Sequence, residues 1–166
     1  MRNFVSADAA VAVSIDESAI AAIVATCQGA GGRETGGVLV GRYSELLDQA
    51  LISEATPPPA DSSRFPAAFV RGIKGLSALL KLRWRRHQHY VGEWHFHPGG
   101  SPLPSPQDLR QMRVFAAAPE HHCPRPILVV LGGDPSGTWG ISVTLVDAHQ
   151  TTPLVEARGP NHADQP

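Results

Sequence analysis

The sequence lacks most of the features that mark disulfide-stabilised, secreted or membrane proteins. It has only two cysteines in 166 residues, Cys27 and Cys123, which is too few for a disulfide framework. No apolar run approaches the ~20 residues that span a bilayer. The N-terminal segment also lacks the apolar core of a signal peptide. We therefore expect a cytoplasmic protein with reduced thiols and no membrane partner.

An excess of charge of one sign is also missing. The chain has 14 Lys and Arg against 15 Asp and Glu, a formal net charge of -1. Because nucleic-acid-binding domains usually carry a strong basic excess, we expect no nucleic-acid partner. The one basic cluster, residues 81–86, is interpreted as the polar face and end of a helix, or alternatively as a patch that contacts the substrate.

The chain is long enough for one domain but too short to divide into two that each bury a core. Its 42% hydrophobic residues argue against disorder. We predict one domain over residues 1–158 and a flexible tail over 159–166. The order of elements predicts an α+β (mixed α/β) fold, with a central mixed β-sheet flanked by helices.

The spacing of apolar residues predicts the individual elements. Residues 57–63 are predicted as a loop, because successive prolines cannot join a strand ladder. Helices are predicted at residues 18–28, 73–87 and 105–118, the second with Leu76, Leu79, Leu80 and Trp84 on one face. Strands are predicted at 11–15, 36–41, 47–55, 65–70, 89–97, 127–131 and 140–146, with an edge strand at 154–158.

Two histidines, His95 and His97, lie two positions apart on the predicted strand 89–97. Side chains alternate between the faces of a strand, so both imidazoles point the same way, while Trp94 and Phe96 point to the other face and into the core. Catalytic zinc sites use three protein ligands and leave the fourth position to water. Two imidazoles on one face, with a carboxylate returned by a loop, would form such a site.

That carboxylate is Asp108, which follows the Gly- and Pro-rich loop 98–104. We predict Ser105 as the N-cap of a helix, with Pro106 in its first turn. Asp108 is then the third helical residue, where a carboxylate faces the positive helix end and can also meet a metal. Ser-x-x-Asp is also an ordinary capping box, which would explain Asp108 without a metal.

The segment His-x-His-Pro, followed after six residues by Ser-x-x-Asp, resembles the signature of the JAMM/MPN+ (Mov34/MPN/PAD-1) zinc metalloproteases. Residues 33–41, Arg-Glu-Thr-Gly-Gly-Val-Leu-Val-Gly, are similar to the family's glutamate before a glycine-containing strand. Together with Tyr-Val-Gly-Glu-Trp-His-Phe-His-Pro at residues 90–98, they look most like the bacterial Prok-JAB branch. The resemblance covers about residues 10–150 and implies a JAMM/MPN domain of cytidine-deaminase-like architecture.

The resemblance implies a role for each residue of the signature. His95, His97 and Asp108 would bind one Zn²⁺, with water as its fourth ligand. Glu34 would be the general base that activates this water and returns the proton to the leaving amine. Ser105 would stabilise the oxyanion that forms from the scissile carbonyl. The chemistry agrees, because zinc makes its water acidic enough for a carboxylate to deprotonate near neutral pH.

Other candidate ligands have a less specific context. Glu93 shares a strand face with His95 and His97, so it either orients a ligand or takes part in a salt bridge. The triplet 121–123, His-His-Cys, has no fourth ligand at a familiar spacing. Cys27 is predicted to lie in the core, and neither thiol has the context of a nucleophile. Five further histidines are interpreted as solvent-facing or loop residues: His87, His89, His121, His122 and His149.

The resemblance implies an isopeptidase that hydrolyses the bond at the C-terminus of a ubiquitin-like protein or its conjugate. E1- and E2-like operon partners, in a bacterial ubiquitin-like conjugation or antiphage system, would fit this role. A Gly-Gly tail could add as a strand beside the active-site strand, between loops 57–65 and 98–104. Three alternatives stay open: processing of a sulfur-carrier-type ubiquitin-like protein, hydrolysis of a small amide adduct, and a non-catalytic MPN scaffold, although such scaffolds usually lack the ligands.

Overall fold

The fold is described here from a computed structural model for residues 1–157. The predicted tail 159–166 and residue 158 lie outside the described residues. The elements are β1 (Arg2–Val5), β2 (Ala12–Ile15), α1 (Glu17–Gln28), β3 (Thr35–Tyr43), β4 (Gln49–Ala55), β5 (Ser63–Phe65), β6 (Ala68–Val70), α2 (Leu76–Trp84), β7 (His89–Pro98), α3 (Pro106–Ala117), a 3-10 helix (Pro119–His121), β8 (Ile127–Gly133), β9 (Trp139–Val146) and β10 (Thr151–Glu156).

Eight of these strands form one mixed sheet, in the order β1-β10-β9-β8-β7-β3-β4-β2, and β2 pairs with β1 to close it. The pairs β2–β4 and β7–β8 are parallel, and the other pairs in this sheet are antiparallel. The predicted mixed α/β class with helices around a mixed sheet is therefore confirmed, but the closure of the sheet was not predicted. The cytidine-deaminase-like architecture stays a prediction.

The closure of the sheet depends on two strands that the sequence analysis missed or misplaced. β1 was not predicted, because four residues with a single buried side chain, Phe4, give too short a pattern. β10 was predicted as an edge strand over 154–158, and this was wrong. It pairs with β9 on one side and with β1 on the other. Its partner β1 lies at the other end of the chain, so no local signal could indicate the pairing.

Two further predictions on the segment before β7 were wrong in part. The single strand predicted at 65–70 is a two-stranded hairpin, β5–β6, with Pro66 and Ala67 at its turn. The helix predicted at 73–87 is shorter, because Gly75 adopts a left-handed conformation immediately before α2. The predicted apolar face of α2 is not buried either: no α2 residue is fully buried, and Trp84 is 68% exposed.

The central pair of the sheet, β3 and β7, carries the candidate site. Trp94 and Phe96 of β7 are 0% and 1% exposed, which confirms that they point into the core. The Trp94 Nε1–H donates a 2.9 Å hydrogen bond to the carbonyl oxygen of Thr56. Gly37 lies opposite Trp94 in the β3–β7 register and leaves room for this indole.

None of the helices in residues 1–157 has the length and apolar character needed to cross a membrane.

Substitution of Gly37 tests this close packing. In Gly37→Ala, the new Cβ would lie 2.2 Å from the Thr56 carbonyl oxygen and 2.7 Å from Trp94 Nε1. We expect a loss of about 1–3 kcal/mol in the free energy of unfolding, the usual effect of overpacking, measured by urea denaturation. Gly29→Ala is the matched control, because its nearest neighbour would be 3.6 Å away, and it should change stability by less than about 0.5 kcal/mol. Equal losses in both variants would contradict the packing described.

Candidate active site

His95 and His97 of β7 lie on one face of the strand, as their spacing predicts. His95 is 5% exposed, between Gly36 of β3 and Val130 of β8 in the strand register. His97 is half-buried. His95 Nδ1 lies 2.8 Å from Asp108 Oδ1, and His97 Nε2 lies 3.2 Å from Asp108 Oδ2. The structure therefore brings the two imidazoles and the carboxylate into direct contact.

Asp108 reaches the histidines from the first turn of α3. Ser105 is the N-cap, and its Oγ accepts a 3.1 Å hydrogen bond from the Asp108 N–H. The Asp108 Oδ2 accepts a 2.7 Å hydrogen bond from the Ser105 N–H, which completes a capping box. The capping-box explanation of Asp108 is therefore confirmed, and the same carboxylate also contacts both imidazoles. Its role as a metal ligand stays a prediction.

The loop between β7 and α3 is fixed against neighbouring strands. Gly99 adopts a left-handed conformation, φ 66°, and its N–H donates to the Gly133 carbonyl oxygen at 3.0 Å. Ser142 Oγ donates to the Pro102 carbonyl oxygen at 2.6 Å. His97 Nδ1 lies 3.1 Å from the Ser101 carbonyl oxygen, which leaves Nε2 directed at Asp108. This loop therefore orients the His97 ring and the start of α3.

Glu34 and Ser105 line the same cleft as this cluster. The cleft has a volume of about 420 Å³ and is bordered by the tip of the β5–β6 hairpin on one side and α3 on the other. Glu34 immediately precedes β3, and its N–H donates to the Phe65 carbonyl oxygen at 2.8 Å. His97 and Asp108 also line this cleft, so it contains four of the five residues singled out in the sequence. The fifth, His95, is buried and contacts Asp108.

The charges of the cluster shift the acidities of its members. Burial raises the pKa of the Glu34 carboxyl, and the charge of Asp108 adds to this, although His97 and His95 oppose it. Burial disfavours protonation of His95, but its hydrogen bond to Asp108 and the nearby Glu93 carboxylate outweigh this and raise its pKa to about 9. Burial is likewise outweighed at Asp108, where contacts with His95, His97 and Ser105 hold the pKa of the carboxyl far below its usual range.

Glu93 forms a salt bridge with Arg71, one of its two predicted roles, and also lies near His95. Its Oε1 accepts a 2.9 Å hydrogen bond from Arg71 Nε, and its Oε2 lies 3.6 Å from His95 Nε2. A second cleft of about 370 Å³ begins at Glu93 and His95 and runs between the end of β6 and α3. Arg71 could not be predicted as a partner of Glu93, since a single arginine after a short predicted strand gives no signal of its partner.

The other histidines of residues 1–157 and the two cysteines are outside the cluster. His87, His121, His122 and His149 are exposed, as predicted. His89 differs, because it lies half-buried on β7 with its ring 4.6 Å from that of Trp84. Cys27 and Cys123 are buried free thiols, and burial raises the pKa of each to about 12. In the basic segment 81–86, Arg83 forms an ion pair with Glu54 across to β4.

Comparison with protein families gives a match to the prokaryotic homologues of the JAB domain over residues 16–145. The chain belongs to this prokaryotic JAB family. The membership confirms the resemblance drawn from the His-x-His and Glu-Thr-Gly-Gly segments, which both lie inside the matched range.

The names of three similar proteins indicate hydrolases. A CD-NTase/cGAS isopeptidase from Enterobacter hormaechei is 46% identical over 143 residues, covering 86% of this chain and 79% of its own length. One of the same name from Pseudomonas aeruginosa is 35% identical over 60% and 63% of the two chains. A probable metalloprotease, y4qB, from Sinorhizobium fredii is 30% identical over 61% and 64%. These names support a peptidase of the isopeptidase type.

A solved structure shares the fold at low sequence identity. The solution structure of the protein DSY2949 from Desulfitobacterium hafniense superposes with a TM-score of 0.62 at 18% identity. The match covers 87% of this prokaryotic JAB chain and 89% of the other. At this identity the likeness concerns the fold alone.

The side chains of His95, His97 and Asp108 in this prokaryotic JAB protein are of the types that bind metal ions. As they stand, no three His, Cys, Asp or Glu side chains in residues 1–157 are arranged to hold a metal ion, because the donor atoms hydrogen-bond to one another. Ligand atoms of a tetrahedral zinc site lie about 3.3 Å apart, given bonds of about 2.0–2.1 Å. The Asp108 oxygens are 2.8 and 3.2 Å from the two imidazole nitrogens. Two imidazoles and a carboxylate are donor types that zinc takes, so the site fits a metal by its chemistry.

Substitution of Ser105 separates its capping role from any other role. Ser105→Ala should lower the free energy of unfolding by about 1 kcal/mol, because the Asp108 N–H loses its acceptor. Ser105→Gly should cost only a few tenths of a kcal/mol, since glycine is tolerated as an N-cap. Thermal or urea denaturation of both variants provides the measurement. An alanine variant as stable as the wild type would show that the cap contributes nothing.

Proposed function

We propose that this prokaryotic JAB protein is a zinc-dependent isopeptidase, with His95, His97 and Asp108 as the ligands of one zinc ion. The observation that carries the proposal is the contact of a single carboxylate with both imidazoles, at a cleft that also holds Glu34 and Ser105. A zinc ion held there would supply a Lewis acid that polarises the scissile carbonyl and makes water acidic at neutral pH.

Glu34 is the general base of the proposed reaction. It takes a proton from the attacking water as the water oxygen bonds to the carbonyl carbon. When the C–N bond breaks, Glu34 returns that proton to the leaving amine, so that acid and amine are formed and Glu34 is regenerated. Its raised pKa supports this role, because a carboxylate with a pKa nearer neutrality both accepts and returns a proton readily.

Ser105 is the proposed donor to the developing oxyanion. Its Oγ already accepts a hydrogen bond from the Asp108 N–H, so the hydroxyl hydrogen stays available for donation. Ser105 also lines the cleft beside His97 and Glu34, where a scissile carbonyl would have to lie. One such donor typically contributes about 10²–10³ in turnover.

The substrate tail is proposed to bind as an extended strand along β6. The first strand of the hairpin, β5, is tied to the catalytic segment through the Phe65–Glu34 backbone hydrogen bond. β6 pairs only with β5 among the described residues, so its other edge has free backbone donors and acceptors. Ala67, Ala68 and Phe69 border the cleft at this edge. Strand addition there would direct a C-terminal tail toward His97 and Glu34.

The names of the relatives suggest which conjugate is cleaved. Since two of the similar proteins are CD-NTase/cGAS isopeptidases, we propose a CD-NTase conjugate as the substrate. A ubiquitin-like protein, which the family resemblance implies, is the second candidate. In either case E1- and E2-like partners would form the bond that this chain removes.

Loss of the Glu34 carboxylate tests the catalytic role. Glu34→Gln should lower kcat by about 10²–10⁴-fold, the usual contribution of a general base, and leave the zinc content unchanged. Cleavage is followed on gels and zinc by elemental analysis. Glu45→Gln is the matched control, since Glu45 is exposed in the turn between β3 and β4, and it should retain wild-type turnover. Full activity in Glu34→Gln would rule out this base.

A comparison of substrates, with and without a chelator, tests which bond is cleaved and whether cleavage needs zinc. The same lysine-bearing reporter is joined by an isopeptide bond to the C-terminus of a CD-NTase or of a ubiquitin-like protein, and an aminocoumarin amide serves as the small substrate. We expect the CD-NTase conjugate to be cleaved fastest, cleavage to stop on chelation, and zinc to restore it. Activity that survives chelation would contradict zinc dependence. Preference for the ubiquitin-like conjugate or the small amide would overturn the proposed substrate.

A further inference from the structure

We propose that the β5–β6 hairpin supports the zinc ligand His95 as well as bordering the cleft, through Phe69 and Arg71 as positioning residues. This inference rests on the proposed function, because it takes His95 to be a metal ligand. It goes further in assigning a part of the metal affinity to a segment that carries no ligand.

The first connection runs from Arg71 to Glu93. Arg71 immediately follows β6, and its Nε donates a 2.9 Å hydrogen bond to Glu93 Oε1. Their side chains are only 18% and 11% exposed, so the ion pair is poorly screened by solvent. The Tyr90 hydroxyl lies 3.4 Å from the same carboxylate oxygen. The Glu93 carboxylate is thus held from two sides and cannot easily turn away.

The second connection runs from Glu93 to His95. The other Glu93 oxygen, Oε2, lies 3.6 Å from His95 Nε2, while His95 Nδ1 faces Asp108 at 2.8 Å. With zinc bound at Nδ1 in place of the hydrogen shared with Asp108, a carboxylate beside Nε2 would favour the tautomer with its hydrogen on Nε2, which leaves the Nδ1 lone pair for the metal. Carboxylates in this position orient ligating histidines in many metal sites, and their loss typically weakens metal binding about 10–100-fold.

Phe69 makes the third connection, directly from β6 to the ligand. Its ring stands edge-on to the His95 ring, with centroids 5.8 Å apart and planes at 77°. Phe69 is 5% exposed, and a Cβ on Gly36 would lie 2.8 Å from its Cε1, so the absence of a side chain at Gly36 admits the ring. Rotation of His95 away from Asp108 is therefore limited by Phe69 on one side and by Glu93 on another.

The base of the hairpin is itself fixed, so it can hold Arg71 in place. The Gly72 N–H donates to Ser62 Oγ at 2.9 Å. The Asp61 carboxylate accepts hydrogen bonds from the N–H groups of Ile73 and Lys74, at 3.1 and 2.9 Å. These contacts join the segment before β5 to the segment after β6. A movement of the hairpin would therefore also move Arg71.

Metal affinity is the readout that tests this inference. The Arg71→Met variant should bind zinc about 10-fold more weakly than the wild type, or weaker still, as measured by competition with a zinc-chelating dye. The visible spectrum of the Co²⁺-substituted variant should also differ from that of the wild type. Arg71→Lys, which keeps the charge, should recover part of the affinity. Arg64→Met is the matched control, because Arg64 is an exposed arginine of the same hairpin, and its zinc affinity should equal that of the wild type.

Two further variants keep the test decisive if Arg71→Met fails to fold. Glu93→Gln and Phe69→Leu should each weaken zinc binding and change the Co²⁺ spectrum by separate routes. Wild-type zinc affinity in Arg71→Met with a raised KM would make Arg71 a substrate contact and overturn the inference. A wild-type protein that binds no zinc would instead contradict the proposed function, so the two failures are distinguishable.

Discussion

The contact of the Asp108 carboxylate with His95 and His97 is the constraint on which the site depends. It needs two imidazoles on one face of a buried strand, and it needs the first turn of α3 to end beside them. The same carboxylate accepts the Ser105 N–H, so helix capping and site assembly are one event. Since the capping box forms within four consecutive residues, the carboxylate is held in place before any cation binds.

The site was largely predictable because most of it is local in sequence. Strand alternation places His95 and His97 together, and a short loop with a helix start returns Asp108 within thirteen positions. Glu34 is different, since nothing local joins it to the histidines and only the family resemblance identified it. The register of β3 with β7, with Gly36 opposite His95, is what brings it to the cleft.

The parts of the fold that could not be predicted are those set by distant or missing partners. β1 and β10 pair across almost the whole chain, and two short strands contain no signal of that closure. The apolar positions of α2 have helical spacing, but spacing does not reveal whether a neighbour exists to cover them. Arg71 was missed for a related reason, because its importance comes from Glu93, a residue 22 positions later.

The burial of Glu93 argues that the cleft and the cluster of His95, His97 and Asp108 are not independent parts. An isolated buried carboxylate is costly, and Arg71 offsets that cost only while the hairpin stays where it is. Displacement of the hairpin would leave Glu93 without its ion pair beside His95, so the interactions that keep the cleft border in place also keep the His95 ring oriented. A tail that binds along β6 would then stabilise the arrangement that His95 already prefers. Substrate binding and metal retention would therefore favour each other, as linked equilibria require.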